Sequence, residues 1–293
     1  MTEKAVQSNG IEIWTDAFGD PADEPILLIA GAASQGIGWE EAFCQQLADG
    51  ANFVIRFDHQ DTGRTTCVDY ERQPYTLNDM ASYTLGILDA YGLKSAHMVG
   101  ISMGGMIAQI LAINDGKRVR TLTSIMSSPV MNIIENEDLP PPSADFMDKM
   151  TALTSGSPAD TIEAQIEELV DGYEILAGSL EPFDRDEYRI RATREITRAN
   201  NYAARLNHEY AMAATEPKDR RSQLANLDIP TLVIHGTEDP IIGLRHGKAT
   251  ADAIPGAELL VVEKLGHEMP RTAWPIVLPA LLNHTSKHRQ GNQ

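Results

Sequence analysis

Hydrophobic positions along the first half of the chain switch between two periods. Ile11-Glu12-Ile13-Trp14-Thr15 alternates apolar and polar at period two, the pattern of an edge strand. Ile26 to Ala30 is apolar without a break, as a strand covered on both faces would be. Trp39, Phe43 and Leu47 then recur at helical spacing, and Phe53 to Phe57 returns to a strand pattern that ends in Asp58. Leu77 to Tyr91 reads as helix, Ala96 to Val99 as strand, Met103 to about Asn114 as helix, and Thr121 to Met126 as strand. Short buried strands alternating with amphipathic helices predict an α/β fold, with a mostly parallel central sheet covered by helices.

After Pro129 the pattern changes. Glu137-Asp138-Leu139 leads into Pro140-Pro141-Pro142, which breaks regular structure. Only helical periods follow. Ser157-Pro158 has the form of an N-cap followed by a first-turn proline. Beyond it Ile162, Ile166, Leu169, Val170, Tyr173 and Leu176 hold one apolar face. Further helical stretches run from Asp184 to Asn200 and from Tyr202 to Ala214. The β/α alternation resumes with Thr231 to Ile234, a helix from His246 to Ile254, a strand from Leu259 to Val262, and a helix from Thr272 to about Leu282. The predicted organisation is a core of residues 1–129 and 223–293 with a helical cap at residues 130–222.

Composition narrows the function classes. The 293 residues are 42% hydrophobic, enough for one large core with a lid. The formal net charge of -18 disfavours nucleic acid and anionic membranes, both of which need clustered Lys and Arg. The first eight residues lack a charged-then-apolar leader pattern, and no apolar run approaches the roughly 20 residues of a span. A cytoplasmic protein is the expectation. The two cysteines, Cys44 and Cys67, make no disulfide framework. No Cys-x-x-Cys, no dense carboxylate cluster and no G-x-G-x-x-G after the first strand occurs, so neither metal nor cofactor is expected. The sequence carries no signal of oligomeric state, which leaves a homo-oligomer open.

Chemistry is signalled by Gly100-Ile101-Ser102-Met103-Gly104. Placed between a strand and a helix, G-x-S-x-G forms a sharp turn that lifts the serine hydroxyl clear of the sheet. A hydroxyl is a poor nucleophile without a positioned base, and the base needs an orienting carboxylate. His267 follows the last predicted strand, at the end of the sheet where α/β folds place ligands. Asp239 closes Gly236-Thr237-Glu238-Asp239-Pro240, directly after the preceding strand. Glu238 is its nearest rival, with Asp228 and Asp252 more distant. His235 reads as a core residue, while His59, His97, His208, His246, His284 and His288 have no comparable context. The chain order Ser102, Asp239, His267 suits acyl transfer. The main-chain amides of Met103 and of Ala32, in the loop after Ile26 to Ala30, are the expected oxyanion donors. Met106 and Trp274 are candidate walls of a substrate site. The charges of Asp58, Asp61 and Arg64 are expected to fix a turn behind the catalytic loop.

With Phe57-Asp58-His59-Gln60-Asp61-Thr62-Gly63-Arg64, the segment Ile229 to Pro240 and Gly266-His267, these residues make the chain resemble the α/β-hydrolase fold serine hydrolases over nearly its whole length. Within that family it is most similar to the aclacinomycin methylesterases, in Gly38-Trp39, Leu47 to Gly50, Asp58 to Arg64, Ser102 to Gly104 and His246 to Lys248. The resemblance implies triad roles for Ser102, Asp239 and His267 and oxyanion roles for Ala32 and Met103. One departure is Ala30-Gly31, where many relatives carry His-Gly. The substrate of those relatives does not carry over, because the helical insertion that sets it cannot be matched. The expected activity is hydrolysis of a small-molecule carboxylic ester with an apolar body. The same triad can also serve lactones, carbon–carbon bonds or cofactor-free haloperoxidase chemistry, and a hydrolase-like protein can bind ligand without turnover.

Overall fold

A computed structural model describes residues 2–131, 133, 138–155 and 159–289. Among these, eight strands form one sheet: β1 (Thr2–Ser8), β2 (Ile11–Phe18), β3 (Glu24–Ile29), β4 (Asn52–Phe57), β5 (Ala96–Ile101), β6 (Val119–Ile125), β7 (Thr231–Gly236) and β8 (Glu258–Val262). Their order across the sheet is β1-β2-β4-β3-β5-β6-β7-β8. The pairs β1–β2 and β2–β4 are antiparallel and all others parallel. The edge is β1, a strand the polarity pattern does not reveal, and β2 lies inside it. Only Val6 and Ser8 of β1 are buried, so alternation is too faint to read there.

The ten helices described are α1 (Glu41–Asp49), α2 (Leu77–Ala90), α3 (Met103–Asn114), α4 (Ala144–Thr154), α5 (Ile162–Leu176), α6 (Arg185–Arg198), α7 (Asn207–Ala214), α8 (Arg221–Leu224), α9 (Leu244–Ala253) and α10 (Trp274–Lys287). Alternate residues of β3 feed two separate cores, as period two requires. Leu27 and Ile29 pack with Met80, Ile107 and Leu111 of α2 and α3, while Ile26 and Leu28 pack with Phe43, Leu47 and Leu281 of α1 and α10. The sheet is thus covered on both faces, which explains why β3 is apolar without a break from Pro25 to Ile29.

Helices α4 to α8 all lie between β6 and β7. A third cluster, built on Ile166, Val170, Tyr173, Tyr188, Ala192 and Ile196, holds α5 to α6. The hydroxyl of Thr161 caps α5 by accepting from the Ala164 amide, and Asp184 caps α6 by accepting from Asp186 and Glu187. The Ser157-Pro158 cap lies outside the described residues. The stretch predicted as one helix over 202–214 divides into a 3₁₀ turn, Tyr202–Leu206, followed by α7. Among the described residues, no helix is long and apolar enough to cross a membrane. Cys44 and Cys67 are both free thiols.

Candidate active site

Ser102 sits between β5 and α3 with φ 55 and ψ -122. A non-glycine residue in such a conformation costs of order 1–3 kcal/mol and must be held in place. Two bonds from β6 and its following loop hold it: the Ser102 amide donates to the Ile125 carbonyl at 2.9 Å, and the Ser127 hydroxyl donates to the Ser102 carbonyl at 2.7 Å. The flanking glycines have a steric cause. A Cβ on Gly100 would lie 2.1 Å from the Gly104 carbonyl oxygen, and a Cβ on Gly104 would lie 2.2 Å from that of Ile29. The turn closes only if both side chains are absent.

Asp239 lies three residues beyond β7 and His267 five beyond β8, and both arrive at Ser102. His267 Nδ1 donates to Asp239 Oδ2 at 2.7 Å, and His267 Nε2 stands 3.0 Å from Ser102 Oγ. Asp239 Oδ1 accepts from the amides of Ile241 and Ile242 at 3.1 and 2.8 Å. Burial alone would raise the Asp239 carboxyl, but His267 and His235 outweigh it and hold the group well below the usual carboxylate range. An ionised Asp239 places the imidazole proton on Nδ1 and leaves the Nε2 lone pair facing the serine. Burial would likewise lower His267, and the Asp239 carboxylate more than compensates, so its pKa lies above the ordinary imidazole value. Glu238 points elsewhere, accepting from the amide and hydroxyl of Ser179.

His235 is buried on β7. Its Nε2 donates to the Ile242 carbonyl at 2.6 Å and lies 3.5 Å from Asp239 Oδ2, so it backs the carboxylate from behind. Asp58 braces the loops around the site. It accepts from the Gly36 and Arg64 amides and pairs with Arg198 of α6 at 2.9 Å. Asp61 accepts from the Val68 amide and the Tyr75 hydroxyl.

A cavity of about 350 Å³ opens over Ser102 and His267. One side comes from the loop after β3, Ala30 to Gln35, and the other from α4, α5 and α6. Trp274 lines it. Met106 does not, being part of the core below the sheet. Amid mostly apolar walls lies a group of charges that the sequence did not single out. Arg191 of α6 bonds Glu268 at 3.0 Å and Glu195 at 3.2 Å, and Glu195 also accepts from the Tyr173 hydroxyl at 2.9 Å. Glu268 adjoins His267 in the chain, and its partly buried carboxyl is pushed up by desolvation despite Arg191. The backbone of His267 is itself tied to the helical segment, its amide donating to the Leu176 carbonyl at 2.8 Å.

Of the proposed oxyanion donors, Met103 opens α3, where an amide has no acceptor within its own helix. In the loop after β3, the Ala33 amide is taken by His208 Nδ1 at 3.0 Å and the Ser34 amide by the Gly31 carbonyl at 3.4 Å. Gly31 adjoins the serine, since a Cβ there would meet the Ser102 Cβ at 3.4 Å. Ala32 also lines the cavity. His284 of α10 and His288, just past the end of that helix, stand four apart in the chain with ring centroids 5.5 Å apart. No group of three or more His, Cys, Asp or Glu that could hold a metal occurs among the described residues.

The chain is 34% identical to rhodomycin D methylesterase DauP of Streptomyces sp. (strain C5), over 97% of this chain and 98% of that protein. It is 33% identical, with the same coverage, to rhodomycin D methylesterase DnrP of Streptomyces peucetius. Among solved structures, an esterase from Exiguobacterium antarcticum superposes with a TM-score of 0.77 at 20% identity, covering 97% of this chain and all of that one. A likeness at that identity establishes the fold alone. The alpha/beta hydrolase fold model matches residues 24–270, and the chain belongs to that family.

Proposed function

We propose that this protein is a serine hydrolase of carboxylic esters, with Ser102 as nucleophile, His267 as general base and Asp239 as its orienting acid. One observation carries the reading: His267 bridges Asp239 and Ser102 through its two ring nitrogens, at 2.7 and 3.0 Å. In the proposed sequence Ser102 Oγ attacks the ester carbonyl carbon while its proton passes to His267 Nε2. Asp239 offsets the imidazolium charge. The amides of Met103 and Ala32 receive the oxyanion. The proton then leaves with the departing alcohol, and a water molecule repeats the steps on the acyl-enzyme. The two curated relatives are named methylesterases, which supports an ester with a small alcohol. The bulky acyl part would fill the cavity against Trp274, Leu169 and Phe146. Residues 130–222 would act as the cap that covers it.

A fluorophosphonate probe tests this directly. Wild-type protein should be labelled at Ser102, with labelling abolished in His267→Ala, and Ser102→Ala should lose four or more decades of p-nitrophenyl ester hydrolysis, by analogy with triad deletions in other hydrolases. A folded wild-type sample that takes up no probe would refute the proposal.

A further inference from the structure

The loop after β3 carries the proposed Ala32 donor, and a pair of buried histidines grips it. His59, two residues past β4, donates from Nε2 to the Ala30 carbonyl at 3.0 Å. His208, on α7, accepts the Ala33 amide at Nδ1 (3.0 Å) and donates from Nε2 to the Gln60 carbonyl at 2.8 Å. The two rings meet edge to face, 5.7 Å between centroids. Both side chains are essentially inaccessible, at 2% and 0% exposure.

Ala33 needs such a hold. Its φ of 57 places a residue with a side chain in the left-handed region, which residues other than glycine seldom adopt unless held. A bond to the Ala33 amide fixes the plane of the Ala32–Ala33 peptide. It thereby fixes the turn that carries the preceding amide, the proposed Ala32 donor, at the cavity wall. Nδ1 can accept only in the neutral ring, and burial supplies that state. Desolvation lowers the pKa of His208 and pushes that of His59 down to about 3. A charged ring would aim a second N–H at the Ala33 amide.

We propose that His208 is a positioning residue for the oxyanion site, acting through the Ala33 amide, so that the segment between β6 and β7 sets the geometry of the chemistry as well as covering it. The proposal rests on the serine-hydrolase reading above and extends it to a residue outside the triad.

Two substitutions separate its two bonds. In His208→Asn the side-chain oxygen falls near the place of Nδ1 and keeps the acceptor for Ala33. In His208→Gln the side-chain nitrogen falls near the place of Nε2, keeping the Gln60 bond and losing the acceptor. Each removes one bond of a buried ring, so both should lose thermal stability to a similar degree. Catalysis should divide them. On a p-nitrophenyl ester, kcat of His208→Gln should fall about tenfold to a hundredfold, with KM changed less than about threefold, as expected for a misplaced oxyanion donor. Its affinity for a boronic acid, which adopts the tetrahedral geometry at Ser102, should fall in proportion. His208→Asn should stay within about threefold of wild type. Equal losses in the two variants, or a loss confined to KM, would overturn the proposal. Fluorophosphonate labelling of Ser102 in wild type would still stand, which separates this failure from failure of the triad. If neither variant folds, long-range ¹H–¹⁵N spectra of wild-type protein decide. His208 protonated at Nε2 alone, with the Ala32 amide shifted by the boronic acid, supports the proposal, and a proton on Nδ1 overturns it.

Discussion

Replacing Asp239 by asparagine tests the proton logic of the site with little change in shape. The carboxylate divides its work between two oxygens. Oδ1 receives two main-chain N–H groups, from Ile241 and Ile242, and Oδ2 receives the His267 Nδ1 proton. Asparagine has one acceptor oxygen, which belongs where two donors converge. Its NH₂ group must then face His267. Nδ1 can no longer carry the proton, the ring adopts the Nε2–H tautomer, and that N–H points at the Ser102 hydroxyl 3.0 Å away. The base is present but its lone pair faces the wrong way. The same inversion in a serine protease costs about 10⁴ in kcat, equivalent to about 5.5 kcal/mol at 1.36 kcal/mol per decade. We expect a loss of that size in Asp239→Asn, with the thermal midpoint within a few degrees of wild type, because the two main-chain bonds survive. The assay is kcat on a p-nitrophenyl ester from pH 6 to 10. Hydroxide can replace the lost base, so the variant's rate should keep rising with pH where the wild type has levelled off. A fall of less than about tenfold in folded protein would refute the role given to Asp239.

Two other outcomes follow from the same geometry. His267 must be neutral to act, so kcat/KM should rise with pH through a midpoint above the ordinary imidazole value. Burial opposes that shift and Asp239 and Glu268 together drive it. Removing the Glu268 charge in Glu268→Gln takes away an influence that favours imidazolium, so the midpoint should move to lower pH, and an unmoved or higher midpoint in the rate profile would contradict the electrostatic account. Gly104→Ala should destabilise the fold by about 2 kcal/mol or more, since the new methyl would meet main-chain oxygens of Ile29 and Ala30 at 2.2 and 2.5 Å, neither of which can swing aside. Urea unfolding measures this, and an unchanged midpoint would count against the close packing of the elbow.

What could be read in the sequence was whatever local geometry forces into it. Ser102 stands out because the turn excludes side chains two residues to either side, so its conformation is written as glycine. Asp239 and His267 stand out because each follows a strand whose apolar run is unmistakable, and strand ends converge at one rim of a parallel sheet. Arg191, Glu195 and His208 could not be found that way. They lie on helices whose periodicity reports only an amphipathic face, and which polar position looks into the cavity depends on how those helices dock. Helix α4 leaves no legible pattern for a related reason: of its residues only Phe146 is buried, so it has almost no apolar stripe. Met106 illustrates the converse, since an apolar residue one turn from a nucleophile can face the core as readily as the substrate.

The bond from the His267 amide to the Leu176 carbonyl bears on how such a protein can diversify. His267, the proposed base, is anchored by the same stretch of chain that lines the cavity. A new chamber cannot be acquired by exchanging that stretch wholesale without also supplying a carbonyl at the end of its second helix, in the same place. Substitutions along the inward faces of α5 and α6 leave the anchor untouched. Lineages built on this scaffold are therefore expected to alter substrate preference by point changes along those faces and to keep the length and exit path of the helix that ends at Leu176.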